Sequence, residues 1–261
     1  RPPRVNAPAP VTVRLRRDLA RALHEGHPWV YRDALEPHSA PPGAVVTVLD
    51  ARGRFVARGI ADAGPLAVRV FTTRDETLGP ALLAARFAQA RALRARVVPA
   101  ETDAYRLVHG EGDRLPGLVC DVYGPHAVLR LDGAGALAWR DAAVEALVPT
   151  LRAVGVRALL VRHGRAESRT VEAAWGEAVP ARVSVKEHGM TLLADLHQGQ
   201  KTGLFLDQRG SRQRVRALAR GLRALNLYGY TGGFSVAAGL GDATRVTTVD
   251  IAPAAVALAS E

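Results

Sequence analysis

Cysteine, lysine and long apolar runs are scarce in this 261-residue sequence, and each scarcity closes off a class of explanation. The one cysteine, Cys120, allows no internal disulfide and no thiolate metal cluster, which suits a reducing compartment. Its neighbours in GLVCDVYG are apolar, so it reads as a small core residue on a half-buried strand. No uninterrupted apolar run approaches the ~20 residues of a membrane span. The opening RPPRVNAPAP lacks the apolar region of a secretory signal and reads as a loose terminus over residues 1–10. The chain is therefore expected to be soluble and cytoplasmic, with no membrane association. A hydrophobic fraction of 48% excludes a disordered chain, and the length suits two domains or three small ones.

Lysine occurs only at Lys186 and Lys201, although 35 basic residues outnumber 25 acidic ones for a net charge of +10. Such a balance favours a polyanion such as nucleic acid. Nearly all of the charge is arginine in an alanine-rich chain, however, which is also what a compositional bias produces. Where arginine is the default cation, a lysine beside a glycine loop marks a place for a compact ammonium.

From Val11 the pattern is strand-rich. VTVRL alternates, and RRDLARALHEGH carries Leu19, Ala22 and Leu23 at helical spacing before Gly26. AVVTVLD and RFVARGIA flank Ala51-Arg52-Gly53 as a hairpin, and PLAVRVFTT adds a strand. Trp29 and Tyr31, at alternate positions, share a face, either as core or lid residues or as platforms for unpaired bases. Leu78 to about Val98 reads as an amphipathic helix with a solvated arginine face. Strands with Gly-rich turns follow, then a long helix from about Ala136 to Val154 and the strand RALLVRHG. His109, Glu111 and Asp113 match no standard metal-ligand spacing, and no metal site is expected. VSVKEHGMTLLADL reads as a hairpin about Glu187-His188-Gly189.

The richest stretch runs from His197 to Asp250. Asp207 is placed to cap a helix carrying Val215, Leu218 and Ala219 on its apolar side. Arg223 to Tyr228 is expected to be a strand covered on both faces. Gly229-Tyr230-Thr231-Gly232-Gly233 turns into a helix over Phe234 to Leu240, and Asp250 ends the strand Val246 to Val249. This is the layout of a nucleotide-type site in an open α/β sheet. The glycine spacing departs from the G-x-G-x-x-G that receives a pyrophosphate, so a phosphate-free cofactor fits better.

Taken together, these stretches resemble a known family. GHPWVYRDAL, PPGAVVTVLDARGRFVARG and AVRVFT resemble a PUA domain, a small RNA-binding barrel. RLVHGEGDRLPGLVCDVYG looks like the central domain of bacterial ribosomal-RNA methyltransferases. QKTGLFLDQR, YTGGFS and Val249-Asp250 resemble the PUA-containing 23S ribosomal-RNA cytosine-5 methyltransferases, class I enzymes that use S-adenosylmethionine.

The resemblance implies a multi-domain α/β fold: a PUA-like β-barrel over 11–77, a central α+β domain with a leading linker helix over 78–182, and the first part of a Rossmann-like methyltransferase domain over 183–261. It implies cofactor contacts from Gln200, Lys201, Thr202, Gly203, Asp207 and Arg209, from Tyr230, Thr231, Gly232, Gly233, Phe234 and Ser235, and from Asp250 and Ile251. The implied partner is 23S ribosomal RNA, with a homodimer left open.

Tyr228-Gly229 departs from the family, whose members commonly carry a Phe-Cys-like pair there, and an ion pair is the competing role for Lys201 and Arg209. Cytosine C5 methylation needs a low-pKa cysteine that adds to C6. Cys120 does not suit that role, and the family's nucleophile is expected beyond Glu261. A non-catalytic RNA-binding module and a methyltransferase acting on another base, such as guanine, remain alternatives.

Overall fold

The computed structural model describes residues 10–164 and 169–261; the loose terminus expected at the start falls almost wholly outside them. The first sheet has five strands in the order β1-β3-β4-β5-β2. They are β1 (Val11–Arg14), β2 (Trp29–Tyr31), β3 (Val45–Leu49), β4 (Phe55–Ala61) and β5 (Leu66–Thr72), with helix α1 (Ala20–His24) between β1 and β2. Their alternate apolar residues, among them Val13, Val30, Val46, Val48 and Val68, bury a core beneath α1. The β3–β4 turn is local chemistry: one Asp50 carboxylate oxygen accepts the N–H groups of Arg52 and Arg54 at 2.9 and 2.8 Å.

Helix α2 (Pro80–Val97) leads to a second sheet, β10-β9-β8-β7-β6. Its strands are β6 (Ala104–His109), β7 (Leu118–Tyr123), β8 (His126–Leu131), β9 (Ala158–His163) and β10 (Thr170–Gly176). The arginine face expected on α2 is not wholly solvated. Arg86 is buried, and Arg94 forms a two-point pair with Asp113 at 2.6 and 2.7 Å. Glu111 instead accepts from the Trp29 indole.

The long helix expected from Ala136 is two helices, α3 (Gly133–Ala138) and α4 (Arg140–Arg152), broken at Trp139. The break turns the Trp139 indole so that it donates to the Gly43 carbonyl at 2.7 Å and stacks on Phe71 at 6.3 Å. Tertiary contact outweighs helix propensity there. Ile60 and Phe71 of the first sheet share one apolar cluster with Leu83, Phe87, Leu107, Leu129 and Leu147, so a single core crosses the boundary between the two sheets.

Beyond the second sheet lies the hairpin β11 (Val183–Glu187) and β12 (Met190–Ala194). Its two-residue turn has His188 and Gly189 both at positive φ, 47° and 75°, the backbone twist that tight hairpins prefer. Helix α5 (Arg209–Leu218), strand β13 (Arg223–Leu227), helix α6 (Gly233–Leu240), strand β14 (Arg245–Val249) and helix α7 (Pro253–Ala259) follow.

Three expectations fail in this last part. Asp207 does not cap α5: Gln208 occupies the cap position and no side chain bonds to the exposed N–H groups. Strand β13 is covered on one face only. Asn226 points inward, where its amide donates to Ser235 on α6 at 2.9 Å, while Leu225 and Leu227 remain 63% and 55% exposed. Leu218, expected on the apolar side of α5, is also exposed.

Candidate functional site

β13 and β14 run parallel with Leu227 opposite Val249, so both strands deliver their following residues to the same end of the sheet. The turn Tyr228–Gly232 and the carboxylate of Asp250 meet there, outside the strand ends where open α/β sheets bind ligands. Gly229 is required by this approach: its N–H donates to the Val249 carbonyl at 3.0 Å. A Cβ on Gly229 would lie 2.5 Å from the Thr248 methyl and 2.9 Å from the Asn226 amide.

Asp250 is fixed by its own backbone surroundings. Its Oδ1 accepts the Ala252 N–H at 2.8 Å and its Oδ2 accepts the Tyr230 N–H at 2.8 Å. These two N–H groups, Ala252 first, hold the carboxyl below the usual carboxylate range. It is ionised at neutral pH, and each oxygen keeps a lone pair for a further partner.

The opposite wall is the segment after β12. The Gln200 N–H donates to the Tyr230 hydroxyl at 2.8 Å, and that hydroxyl donates to the Gly203 carbonyl at 3.2 Å. Burial raises the Tyr230 pKa, so the phenol stays protonated and able to donate. The Phe205 ring meets Tyr230 edge-on at 5.3 Å, and the Lys201 ammonium lies 5.6 Å over the Phe205 ring. Lys201, Tyr228 and Tyr230 all hold left-handed backbone, with φ of 55°, 56° and 48°. Such conformations cost about 1–2 kcal/mol per non-glycine residue and concentrate where a ligand is gripped.

The wall is anchored to the second sheet. Arg162 on β9, 2% exposed, donates through Nη1 to the carbonyls of Gly199 (3.1 Å) and Lys201, and through Nη2 to those of Leu196 (3.0 Å) and His197 (3.3 Å). Thr202 faces the same sheet, donating to Asp121 at 2.5 Å and sharing a hydrogen bond with the Tyr123 hydroxyl at 2.8 Å. On the other side Arg212 of α5 makes a buried two-point ion pair with Glu187.

Between these walls is a cavity of about 440 Å³. Gln200, Tyr230, Thr231, Gly233, Phe234, Asp250 and Ile251 line it, as the sequence suggested. Lys201, Thr202, Gly203, Asp207, Arg209, Gly232 and Ser235 do not. Thr202 serves the contact with the second sheet, and the Ser235 hydroxyl is held between Asn226 and Thr248. Asp207 is exposed, and Gly232 caps α6. Neither Lys201 nor Arg209 forms an ion pair with another described residue, so that competing role is not realised.

Sequence reasoning missed Leu192, Leu204, Phe205, Gln208, Arg212, Tyr228 and Gly229 as lining residues. Phe205 and Gln208 lay inside the quoted QKTGLFLDQR stretch, and Arg212 is one helical turn beyond Gln208. Leu192 carried no signal.

The donor set suits a nucleoside without phosphates. One ionised carboxylate can accept hydroxyl protons, aromatic and aliphatic faces surround it, and the volume lies within the ~300–1,000 Å³ of small-molecule sites. The guanidinium in the lining, Arg212, is already neutralised by Glu187, so among the described residues no free arginine lines the cavity to hold a pyrophosphate.

A model described as an S-adenosylmethionine-dependent methyltransferase matches residues 137–259, and a PUA-like domain model matches residues 13–73. The "Ribosomal RNA large subunit methyltransferase I" of Erwinia tasmaniensis is 36% identical over 96% of this chain and 66% of its own length. The protein of that name from Escherichia coli is 35% identical over 92% of this chain and 63% of its own length. The chain thus spans just under two thirds of the relatives it matches. Among solved structures, a putative methyltransferase from Streptococcus mutans superimposes with a TM-score of 0.83 at 23% identity, over 96% of this chain and 66% of that one. A putative methyltransferase complexed with SAH gives 0.82 at 24% identity, over 96% and 64%. At these identities the likeness concerns the fold.

Proposed function

We propose that the chain, whose residues 137–259 and 13–73 match the S-adenosylmethionine-dependent methyltransferase and PUA-like models, is part of such a methyltransferase and takes part in methylating 23S ribosomal RNA at cytosine C5. The names of the E. coli and Erwinia relatives support the large-subunit RNA substrate. The observation that carries the cofactor assignment is Asp250, an ionised carboxylate at the end of β14 on the wall of a cavity that no free arginine among the described residues lines.

In this reading Asp250 accepts the ribose hydroxyls. Ile251 and Phe234 flank the base, and the N–H groups at the start of α6 face the methionine carboxylate. The Tyr230 hydroxyl keeps the Gln200 wall closed over the cofactor and excludes water. Bound there, the cofactor supplies an electrophilic methyl group. The first sheet serves as the PUA-like RNA-binding barrel, and β13-α6-β14-α7 begins a Rossmann-like class I domain.

Cys120 has no part in the chemistry. It is fully buried in the apolar cluster of the second sheet, and burial pushes its thiol well above the ordinary range, where no thiolate forms.

Calorimetry with S-adenosylhomocysteine tests the cofactor site. Asp250→Ala removes a charge-assisted hydrogen bond and should lower affinity about tenfold or more; unchanged affinity removes Asp250 from the site. Mass spectrometry of nucleosides from 23S RNA incubated with protein and cofactor tests the base. A new 5-methylcytidine supports the proposal, whereas methylated guanine overturns the cytosine assignment.

A further inference from the structure

Arg86 is a buried cation with no ion-pair partner among the described residues. It lies on the buried side of α2, 6% exposed, and donates through Nη1 to the backbone carbonyl of Arg114, with its guanidinium carbon 5.9 Å from the centre of the Phe71 ring. Burial first, and then repulsion from Arg114, lower its pKa to about 10, with Glu76 offsetting part of the shift. Burying a guanidinium this way is costly unless an anion approaches it.

Space for an anion is present. Arg86 lines a cleft of about 490 Å³ between the α1–β2 turn, β5 and α2, with the exposed Arg74 and Arg114 also on its walls. The carboxylates on the same walls are engaged. Glu111 accepts from the Trp29 indole at 3.1 Å and from Arg69 at 3.3 Å, Glu76 from the Thr72 hydroxyl at 2.5 Å, and Glu25 from Arg21 at 2.8 Å.

The cleft is continued by an aromatic edge. His27 belongs both to this cleft and to the shallow depression beside it, which runs over Trp29 and Tyr31. The rings follow one another edge to face, His27 to Trp29 at 6.2 Å and Trp29 to Tyr31 at 6.5 Å, and Tyr31 is 45% exposed. A guanidinium-floored cleft joined to exposed rings is the combination that holds a phosphodiester and stacks the neighbouring base of an unpaired strand.

We propose that this cleft seats a phosphate of single-stranded RNA against Arg86, with Arg74 and Arg114 closing over it and Tyr31 receiving the adjoining base. The assignment rests on the reading of the chain as an RNA methyltransferase. It places one RNA contact on α2 and the Arg114 loop, outside the first sheet.

The test is fluorescence anisotropy of a labelled single-stranded RNA decamer bound to the full chain across a salt series, beside calorimetry with S-adenosylhomocysteine on the same preparations. Arg74→Gln and Arg114→Gln change exposed side chains and should leave the melting temperature and cofactor affinity unaltered. Each should flatten the dependence of log Kd on log salt by about 0.7 and weaken RNA binding severalfold, and Tyr31→Ala should weaken binding without altering the slope. Arg86→Gln is read only if its melting temperature matches the parent, and should then give the largest loss. RNA binding with an unchanged slope in both arginine variants overturns the seat and leaves the methyltransferase reading standing. No RNA binding by the parent chain, with cofactor binding intact, overturns the RNA substrate as well. Inorganic phosphate that competes at equal concentration with the decamer assigns the cleft to a free anion and overturns the RNA seat.

Discussion

Replacing Arg162 should loosen one wall of the cavity beside Asp250 without unfolding the protein. Its guanidinium is the common donor for four carbonyls of the Leu196–Lys201 segment, two of them at 3.0 and 3.1 Å. A hydrogen bond from a charged donor contributes about 1.5–3 kcal/mol. The two terminal nitrogens carry four N–H groups, enough for all four carbonyls, but the bonds are coupled and non-additive, which leaves a net gain of roughly 3–4 kcal/mol. Arg169, exposed, also donates to Gln198 and Gly199 at 3.0 and 3.2 Å, but water competes for that contact. Arg162→Met keeps the length and apolar stem and removes every donor. Amide hydrogen exchange over residues 196–203 should accelerate by about 10²–10³-fold, since each 1.4 kcal/mol is a factor of ten. Arg162→Lys, with a single ammonium, should fall between. Arg169→Ala should change exchange by less than about fivefold. S-adenosylhomocysteine affinity should decline in the same order, because Gln200 meets Tyr230 only while the segment is held. Native-like exchange over 196–203 in Arg162→Met, in a protein that still melts cooperatively, would refute the reasoning.

Gly229→Ala should abolish cofactor binding and lower the melting temperature, because the new methyl overlaps Thr248 and Asn226; a variant that still binds S-adenosylhomocysteine in calorimetry contradicts that packing. Asp250 is stabilised as a carboxylate in the folded chain, so its contribution is fully present above the ordinary carboxylate pKa of about 4 and is lost as pH falls through its depressed folded value. Cofactor affinity should accordingly stay flat between about pH 5 and 8 and decline only in stronger acid. A midpoint above pH 5 assigns the titration to another group. Cys120 should resist a thiol-reactive disulfide reagent in the native protein and react fully in denaturant, and rapid native labelling refutes its burial.

Much of the cavity was legible because its determinants are local. Tyr230, Thr231, Gly233 and Asp250 follow from a strand, a glycine turn and an acid at the next strand end, all read from short-range pattern. The turns at Asp50–Gly53 and His188-Gly189 are local for the same reason. The arginines were opaque. Arg86, Arg162 and Arg212 look like any others in an arginine-rich chain, yet each is buried against a partner 25 or more residues away. Spacing along the chain does not record such encounters. The break at Trp139 was hidden likewise, since its cause lies in Gly43 and Phe71 of another sheet. Asp207 shows the opposite error: a residue type suited to capping sits one place early, and Gln208 takes the position.

The core that runs from Ile60 and Phe71 into the second sheet bears on how the protein can be taken apart. Arg69 lies in the same junction, 5% exposed, holding Asp62 at 2.6 Å and reaching Glu111 and Asp132. Cutting the chain after β5 would strand that guanidinium with Asp62 alone and bare the Phe71 ring. Residues 13–73, matched by the PUA-like model, are therefore a unit of sequence without being a unit of stability. An excised module would report the behaviour of a damaged surface, and a graft of it onto another protein would have to bring α2 and the Glu111 and Asp132 loops along.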